Sequence, residues 1–264
     1  MRILLCANNW VGWKIASWLR EQSEEIAALV VHPLERRKYG GEITQAAGVH
    51  PSAIFDGSKL SHPDVLQAIR ARQPEIGISA FFGYILRSEF LQLLPRGCVN
   101  VHSAFLPYNR GANPNIWSIV DRTPAGVTVH YIDEGIDTGD IIGQQIVPVE
   151  PVDTGETLYR KLEEAAVDVF REHWPMIRAG CAKRISQPRE GTFHRLRDVE
   201  LIDEIDLDRT YTGRELIDII RARTFPPYPG AFFRHDGRKT YLRLQLLYEE
   251  ELEGFRTDEP IHRS

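Results

Sequence analysis

Residues 2–31, RILLCANNWVGWKIASWLREQSEEIAALVV, decide the fold of this chain. Residues 2–6 form a short, mainly apolar run that ends at the polar pair Asn8 and Asn9, which predicts a buried strand. Apolar side chains then recur at helical spacing, namely Val11, Ile15, Trp18 and Leu19. Residues 26–31 are apolar without alternation, as in a strand that is covered on both faces. The chain therefore opens with a strand, a helix and a second strand.

The alternation of strands and helices continues to about residue 180. Apolar runs predict strands at 76–80, 98–101, 127–132 and 141–147. Helical patterns cover 63–72 and a stretch that starts at Asp153, with Glu156 three residues later, and runs towards Met176. We predict that residues 1–180 form an α/β domain, with a Rossmann-like, mostly parallel sheet and helices on both faces.

A different pattern begins at residue 181. We predict that residues 181–264 form a small C-terminal α+β subdomain that is rich in β structure. Residues 211–220 have a helical pattern, whereas the stretch 225–230, FPPYPG, fits neither a helix interior nor a central strand. Residues 241–247, YLRLQLL, alternate and predict a strand.

Composition disfavours several classes of function. The 264 residues carry 32 Lys+Arg against 37 Asp+Glu, and a net charge of −5 disfavours a nucleic-acid partner. No run approaches the roughly 20 apolar residues of a membrane span. The three scattered cysteines predict a reducing, cytoplasmic location, and no spacing suggests a metal site. The loop after the first strand lacks G-x-G-x-x-G, which disfavours a nicotinamide enzyme.

Two polar motifs are candidates for chemistry. Asn100 and His102 have one residue between them at the end of a predicted strand, so both side chains share one face. A histidine suits proton transfer near neutral pH, and an amide suits stabilisation of an oxyanion, although a capping Asn and a packed His would give the same pattern. Residues 133–140, DEGIDTGD, form a tight loop with four acids, more than a simple turn requires.

The segments NVHSAFLPYNRGANPNIWSI (100–119) and GVTVHYIDEGIDTGDII (126–142) resemble the 10-formyltetrahydrofolate-dependent formyltransferases. The resemblance implies a formyltransferase fold and implies Asn100, His102 and Asp137 as the catalytic residues. It also implies a cofactor pocket built largely by main chain, at Gly83, Tyr84, Ile85, Leu86, Ile132, Asp133, Gly135 and Ile136. The cosubstrate would be 10-formyltetrahydrofolate, and no metal is required.

In the implied reaction, an uncharged amine attacks the formyl carbon and gives a tetrahedral oxyanion. Asn100, and His102 if protonated, would stabilise that oxyanion. Asp137 would hold the His102 ring and assist proton transfer directly or through a water. The sequence leaves open whether His102 acts mainly as a base or as a cation.

The segment RARTFPPYPGAFF (221–233) resembles the C-terminal region of sugar N-formyltransferases. The resemblance implies an acceptor such as GDP-perosamine or a dTDP-linked amino sugar, in the synthesis of a surface polysaccharide such as O-antigen. Residues expected to contact the acceptor are Asn9, Trp10, Tyr108, Arg110, Phe225 and Tyr228. The alternative interpretations are packing of Trp10 on the first helix, a lone surface position for Arg110, and a Pro-rich turn at 225–230.

Other acceptors and functions stay open at this point. Methionyl-tRNA and a ribonucleotide are alternative acceptors, but the many acids within residues 198–208 disfavour RNA, and the first loop departs from the Gly-rich phosphate loop of ribonucleotide enzymes. A non-catalytic relative that binds sugar nucleotides is another alternative. The resemblance also allows a homodimer, for which Phe232 and Phe233 could supply an apolar surface, although they could equally be interior.

Overall fold

The computed structural model describes residues 1–255. Its strands are β1 (Arg2–Ala7), β2 (Glu25–Val31), β3 (Ile54–Asp56), β4 (Ile76–Ala80), β5 (Cys98–His102), β6 (Arg110–Gly111), β7 (Gly126–Tyr131), β8 (Ile141–Ile146), β9 (Phe193–His194), β10 (Phe232–His235) and β11 (Arg238–Tyr241). Its α-helices are α1 (Asn9–Glu21), α2 (Gly40–Ala47), α3 (Pro63–Arg70), α4 (Ser88–Leu91), α5 (Pro114–Val120), α6 (Gly155–Ala179), α7 (Glu200–Asp203) and α8 (Gly213–Arg223). Short 3-10 turns cover Leu34–Arg36, Pro51–Ala53, Gly57–Lys59, Leu196–Val199 and Glu249–Phe255.

Seven strands form the main sheet, in the order β3-β2-β1-β4-β5-β7-β8. The first five of these pair in parallel, whereas β7 and β8 continue the sheet antiparallel. The predicted Rossmann-like, mostly parallel sheet is therefore confirmed.

Helices cover both faces of the sheet. Successive side chains of each strand point to opposite sides, so one strand contributes apolar side chains to a core on each face. On β1, Ile3 and Leu5 pack in the larger apolar core, together with side chains of α1 and α6. Leu4 and Cys6 pack on the other face, in a second core that contains Phe90 of α4. This double coverage explains why the early strands are apolar without alternation.

The long helix α6 begins one residue later than the sequence analysis predicted. Thr154, rather than Asp153, caps it: the Thr154 hydroxyl accepts a bond from the Thr157 amide at 3.3 Å, and the Thr157 hydroxyl accepts one from the Thr154 amide at 2.9 Å. Asp153 instead pairs with Lys161 at 2.8 Å and is buried. The capping pair is thus two threonines, and the buried Asp153 carboxylate pairs with the partly exposed Lys161 instead.

The C-terminal region contains a small antiparallel strand pair, β10 and β11, next to α8. The strand predicted at 241–247 is wrong beyond Tyr241: the Leu242 amide bonds the Ala231 carbonyl at 2.8 Å, and the Leu244 amide bonds a threonine hydroxyl, so no ladder forms. Phe232 is buried, and Phe233 packs against a small core of Ile205, Ile220 and Ala231, so these side chains are mainly interior. The division between domains at residues 180 and 181 stays a prediction. No helix within residues 1–255 is long and apolar enough to cross a membrane.

Candidate active site

A cavity of about 720 Å³ opens at the carboxyl ends of β1, β4 and β5. The strand order reverses between β1 and β4, and open α/β sheets bind ligands at such a point. Asn8 and Asn9 follow β1 on its wall, Phe81 and Phe82 follow β4, and the loop between β7 and β8 closes the other side.

The three predicted catalytic side chains meet on the wall of this cavity. Asn100 and His102 lie on one face of β5, and Asp137 lies in the loop between β7 and β8. One carboxylate oxygen of Asp137 is 3.5 Å from His102 Nε2, and the other is 3.4 Å from Asn100 Nδ2. All three line the cavity, and the roles assigned to them stay predictions.

A fourth polar side chain, His130, completes this group and was missed from the sequence. In the antiparallel register of β5 and β7, His130 stands directly opposite Asn100. Its Nδ1 is 2.8 Å from the Tyr131 carbonyl, so Nδ1 carries a proton, and Nε2 is 3.2 Å from Asn100 Nδ2. The signal available was the alternation in GVTVHY, which puts a histidine on the same face as Thr128.

Backbone geometry fixes the position of Asp137. Asp137 itself has a φ of +55°, in the left-handed region that a non-glycine residue adopts at a cost. The Gly111 amide donates to its Oδ2 at 2.9 Å. Gly111 has a φ of +91°, and a Cβ there would collide with the His194 carbonyl, so only glycine fits.

The charge states of the pair follow from burial and mutual contact. Burial lowers the pKa of His102, and His130 adds to this effect, while Asp137 opposes it; the pKa stays below the usual histidine value. Burial alone would raise the pKa of Asp137, but His102, His130 and the Gly111 amide outweigh it and hold that pKa well below its usual range. At neutral pH the free site therefore contains a carboxylate and an uncharged imidazole.

Every residue predicted to bind the cofactor lines the same cavity. His32 supports this wall: its Nε2 accepts a bond from the Gly83 amide at 3.3 Å, and its ring lies 4.9 Å from that of Tyr84. At the mouth, Ile85 and Ile136 leave 73% and 42% of their surface exposed. Exposed apolar side chains beside a main-chain wall suit a flat heterocycle that has both polar edges and apolar faces.

The residues predicted to contact the acceptor divide into two groups. Asn9 lines the cavity and its amide bonds the Tyr159 hydroxyl. The Phe225 ring packs 5.4 Å from Tyr159 and 5.3 Å from Tyr228, so an aromatic row extends from the cavity wall. The structure therefore puts Asn9 on the cavity wall, and Phe225 and Tyr228 just outside the wall, where they continue from the Tyr159 ring.

Trp10, Tyr108 and Arg110 lie elsewhere. Trp10 packs against the main core, with Lys14 Nζ 5.5 Å from its ring centre. Tyr108 is exposed on the loop before β6. The Arg110 guanidinium donates to the Gln187 side chain at 2.9 Å, and Arg110 is not among the residues that line the cavity.

Two further wall residues, Lys38 and Tyr159, were also missed. Lys38 Nζ is 3.0 Å from the Tyr228 hydroxyl, and its amide bonds Asn8 Oδ1 at 2.9 Å. Burial raises the pKa of the Tyr159 hydroxyl, so it remains protonated. Neither residue belongs to a motif, because both reach the site from distant elements.

Two family models match the chain. One, described as formyl transferase, matches residues 15–173. The other, described as the N-formyltransferase dimerization C-terminal domain, matches residues 198–248.

Individual proteins agree with these matches. The methionyl-tRNA formyltransferase of Myxococcus xanthus is 34% identical over 221 residues, which cover 81% of this chain and 69% of that protein. A 4-N formyltransferase from Francisella tularensis superposes with a TM-score of 0.77 at 26% identity, covering 94% of this chain and 98% of the other. The formyltransferase PseJ from Anoxybacillus kamchatkensis, in complex with UDP-4,6-dideoxy-4-formamido-L-AltNAc and tetrahydrofolate, superposes with a TM-score of 0.53 at 29% identity and covers 76% and 89%.

Proposed function

We propose that this chain, which belongs to the formyl transferase family, moves a formyl group from 10-formyltetrahydrofolate to the amine of a nucleotide-linked amino sugar. Membership of the family makes it an N-formyltransferase; the acceptor and the cosubstrate are the proposed part. The observation that carries the proposal is one cavity that is lined by Asn100, His102 and Asp137, by residues 83–86 and 132–136, and by the aromatic side chains of Phe81 and Tyr159.

The cosubstrate fits the wall formed by residues 83–86 and 132–136. The exposed side chains of Ile85 and Ile136 would cover the faces of the pterin, while main-chain groups would bond its edges. When bound, it supplies the formyl group. The structure of PseJ holds tetrahydrofolate, which supports this choice of ligand.

An uncharged His102 is suited to accept a proton from the attacking amine. Its Nε2 faces two acceptors, the Asn109 carbonyl at 3.3 Å and Asp137 at 3.5 Å, so Nε2 carries the proton and Nδ1 has the free lone pair. Asp137 then stabilises the imidazolium that forms. General base help of this kind contributes about two to four decades in rate.

Asn100 is suited to stabilise the oxyanion. Its amide nitrogen is 3.2 Å from His130 and 3.4 Å from Asp137, and bonds of that length are weak. The amide can therefore turn one hydrogen towards a developing negative charge in the cavity. One such donor contributes about two to three decades in rate.

A row of aromatic side chains that begins on the cavity wall and extends outside it supports a nucleotide-linked sugar as the acceptor. Phe81, Tyr159, Phe225 and Tyr228 form a row with successive ring centres 6.3, 5.4 and 5.3 Å apart, which offers faces for stacking a base. Lys38 contacts the last of these rings and can pair with a phosphate. The net charge of −5 disfavours a tRNA, although sequence relatives include methionyl-tRNA formyltransferases.

Two broader aspects belong to the same proposal. The C-terminal match to a dimerization domain supports a homodimer, for which light scattering is the test. A sugar of this kind, carried on GDP or dTDP, would serve cytoplasmic synthesis of a surface polysaccharide such as O-antigen or lipopolysaccharide.

The test is an assay of the purified protein with 10-formyltetrahydrofolate and a panel of acceptors. The panel contains GDP-, dTDP- and UDP-linked 3- and 4-amino sugars, methionyl-tRNA and glycinamide ribonucleotide. Mass spectrometry should detect the addition of CO to a nucleotide sugar and to no other class. A product on methionyl-tRNA alone would overturn the proposed acceptor class. The absence of a product on every amine would overturn the proposed formyl transfer.

A further inference from the structure

Residues 184–187, which follow α6, cross the outside of the loop that carries Asp137. Ile185 exchanges two backbone hydrogen bonds with Ile141, at 2.8 and 3.0 Å. The Arg184 guanidinium lies 3.6 Å from the centre of the Tyr131 ring and 3.6 Å from the Asp140 carboxylate. This segment therefore packs directly against the ends of β7 and β8.

Gln187 makes the most specific contact in this segment. Its amide nitrogen donates to the Asp137 carbonyl at 2.9 Å and to the Gly139 carbonyl at 2.7 Å. Its amide oxygen accepts from Nε and Nη2 of Arg110, at 3.1 and 2.9 Å. Both hydrogens and both lone pairs of one side chain are thus used, and they join two separate loops.

The two segments joined by Gln187 carry the donor and the acceptor of one hydrogen bond in the site, from the Gly111 amide to the Asp137 carboxylate. One loop carries Asp137, whose left-handed backbone persists only if its surroundings hold it. The other segment carries Arg110 and Gly111. The amide of Gly111 donates to the Asp137 carboxylate at 2.9 Å. A side chain that ties both loops together therefore sets where that carboxylate lies relative to His102.

We propose that Gln187 is a positioning residue for the reaction: by bonding the Asp137 and Gly139 carbonyls and Arg110, it holds the Asp137 carboxylate against His102. This inference rests on the proposed function for its catalytic consequence. Gln187 bonds the Asp137 loop and Arg110 rather than His102 or Asn100, so it acts through the segments that position the Asp137 carboxylate.

The first test is an NMR titration of the His102 imidazole in the ligand-free protein, comparing wild type with Gln187→Ala. The ionisable groups that face this ring are Asp137 and His130. If the carboxylate moves about 1 Å away, it stabilises the imidazolium less, and the pKa of His102 falls by about 0.8 of a pH unit at an effective dielectric constant of about 20. The control is Ser186→Ala, which removes only a 3.3 Å contact with Asp140 and should leave that pKa unchanged.

The second test is steady-state kinetics of the same variants. We expect Gln187→Ala to lower kcat by tenfold or more, with KM for both substrates within about twofold, because misplacing a catalytic group by about 1 Å costs this much. The asparagine side chain of Gln187→Asn is too short to reach both segments, so this variant should show the same changes as Gln187→Ala. It replaces Gln187→Ala in both tests if the alanine variant does not fold. An unchanged or raised pKa of His102, or an unchanged kcat, would overturn the inference. A lowered pKa in a protein that formylates no acceptor would instead keep the inference about position and reject the proposed function.

Discussion

Replacing Asp137 with asparagine removes one negative charge and almost no volume. The lost carboxylate lies 3.5 Å from His102 Nε2, in a site where the His102 and Asp137 side chains are 11% and 13% exposed. At an effective dielectric constant of about 20, a full unit charge pair at this distance is worth about 5 kcal/mol. If roughly half a charge develops on the imidazole in the transition state, about 2.4 kcal/mol is lost, which is about a 60-fold fall in kcat.

The assay is formyl transfer at saturating concentrations of both substrates, near pH 7.5, for Asp137→Asn and for the control Asp140→Asn. The control removes the same charge from the same loop, where the Asp140 side chain contacts only Ser186 and Arg184 among the hydrogen bonds and ion pairs of residues 1–255. It should keep kcat within about twofold. Thermal unfolding of both variants verifies that each is folded.

Two outcomes would refute the electrostatic role of Asp137. One is an Asp137→Asn variant that keeps more than half of the wild-type kcat. The other is an equal loss of kcat in the Asp140→Asn control, which would indicate a general effect of charge on the loop rather than a contact with His102.

Further predictions concern the proton acceptor, the glycine beneath the carboxylate and the aromatic row. His102→Asn should abolish nearly all turnover, a loss of about two to four decades, while circular dichroism stays native; full activity in this variant would remove His102 as the base. Because burial lowers the pKa of His102, an NMR titration of the free enzyme should show its imidazole protonating only below pH 6.5, and protonation at or above that pH would contradict the assignment. Gly111→Ala should lower the free energy of unfolding in urea by more than Gly237→Ala does. Both glycines have a positive φ, but of the two only Gly237 has open space for an added Cβ. Equal losses in the two variants would contradict the predicted collision at Gly111. Tyr228→Ala should raise KM for the sugar nucleotide about tenfold and leave tetrahydrofolate affinity unchanged by calorimetry, whereas a loss of folate affinity would move this ring to the other end of the cavity.

The sequence was sufficient for the features that depend on local pattern. Apolar runs without alternation identified β1, β2 and β4, because strands covered on both faces of a sheet have that composition. The alternation of β5 put Asn100 and His102 on one face, since side chains two apart in a strand always share a side. Resemblance to a family added Asp137, which spacing alone could not distinguish from the other acids of its loop.

Only the tertiary structure decided the contacts between segments that are distant in the chain. His130 faces Asn100 because β7 pairs antiparallel with β5 in one particular register, and a shift of one residue would turn it to the other face. Gln187 and Lys38 reach the site from a segment after α6 and from a loop after β2, and nothing local marks them. Local pattern determines which side of its own strand a residue occupies, but pairing register and chain closure determine which residues meet across strands and loops.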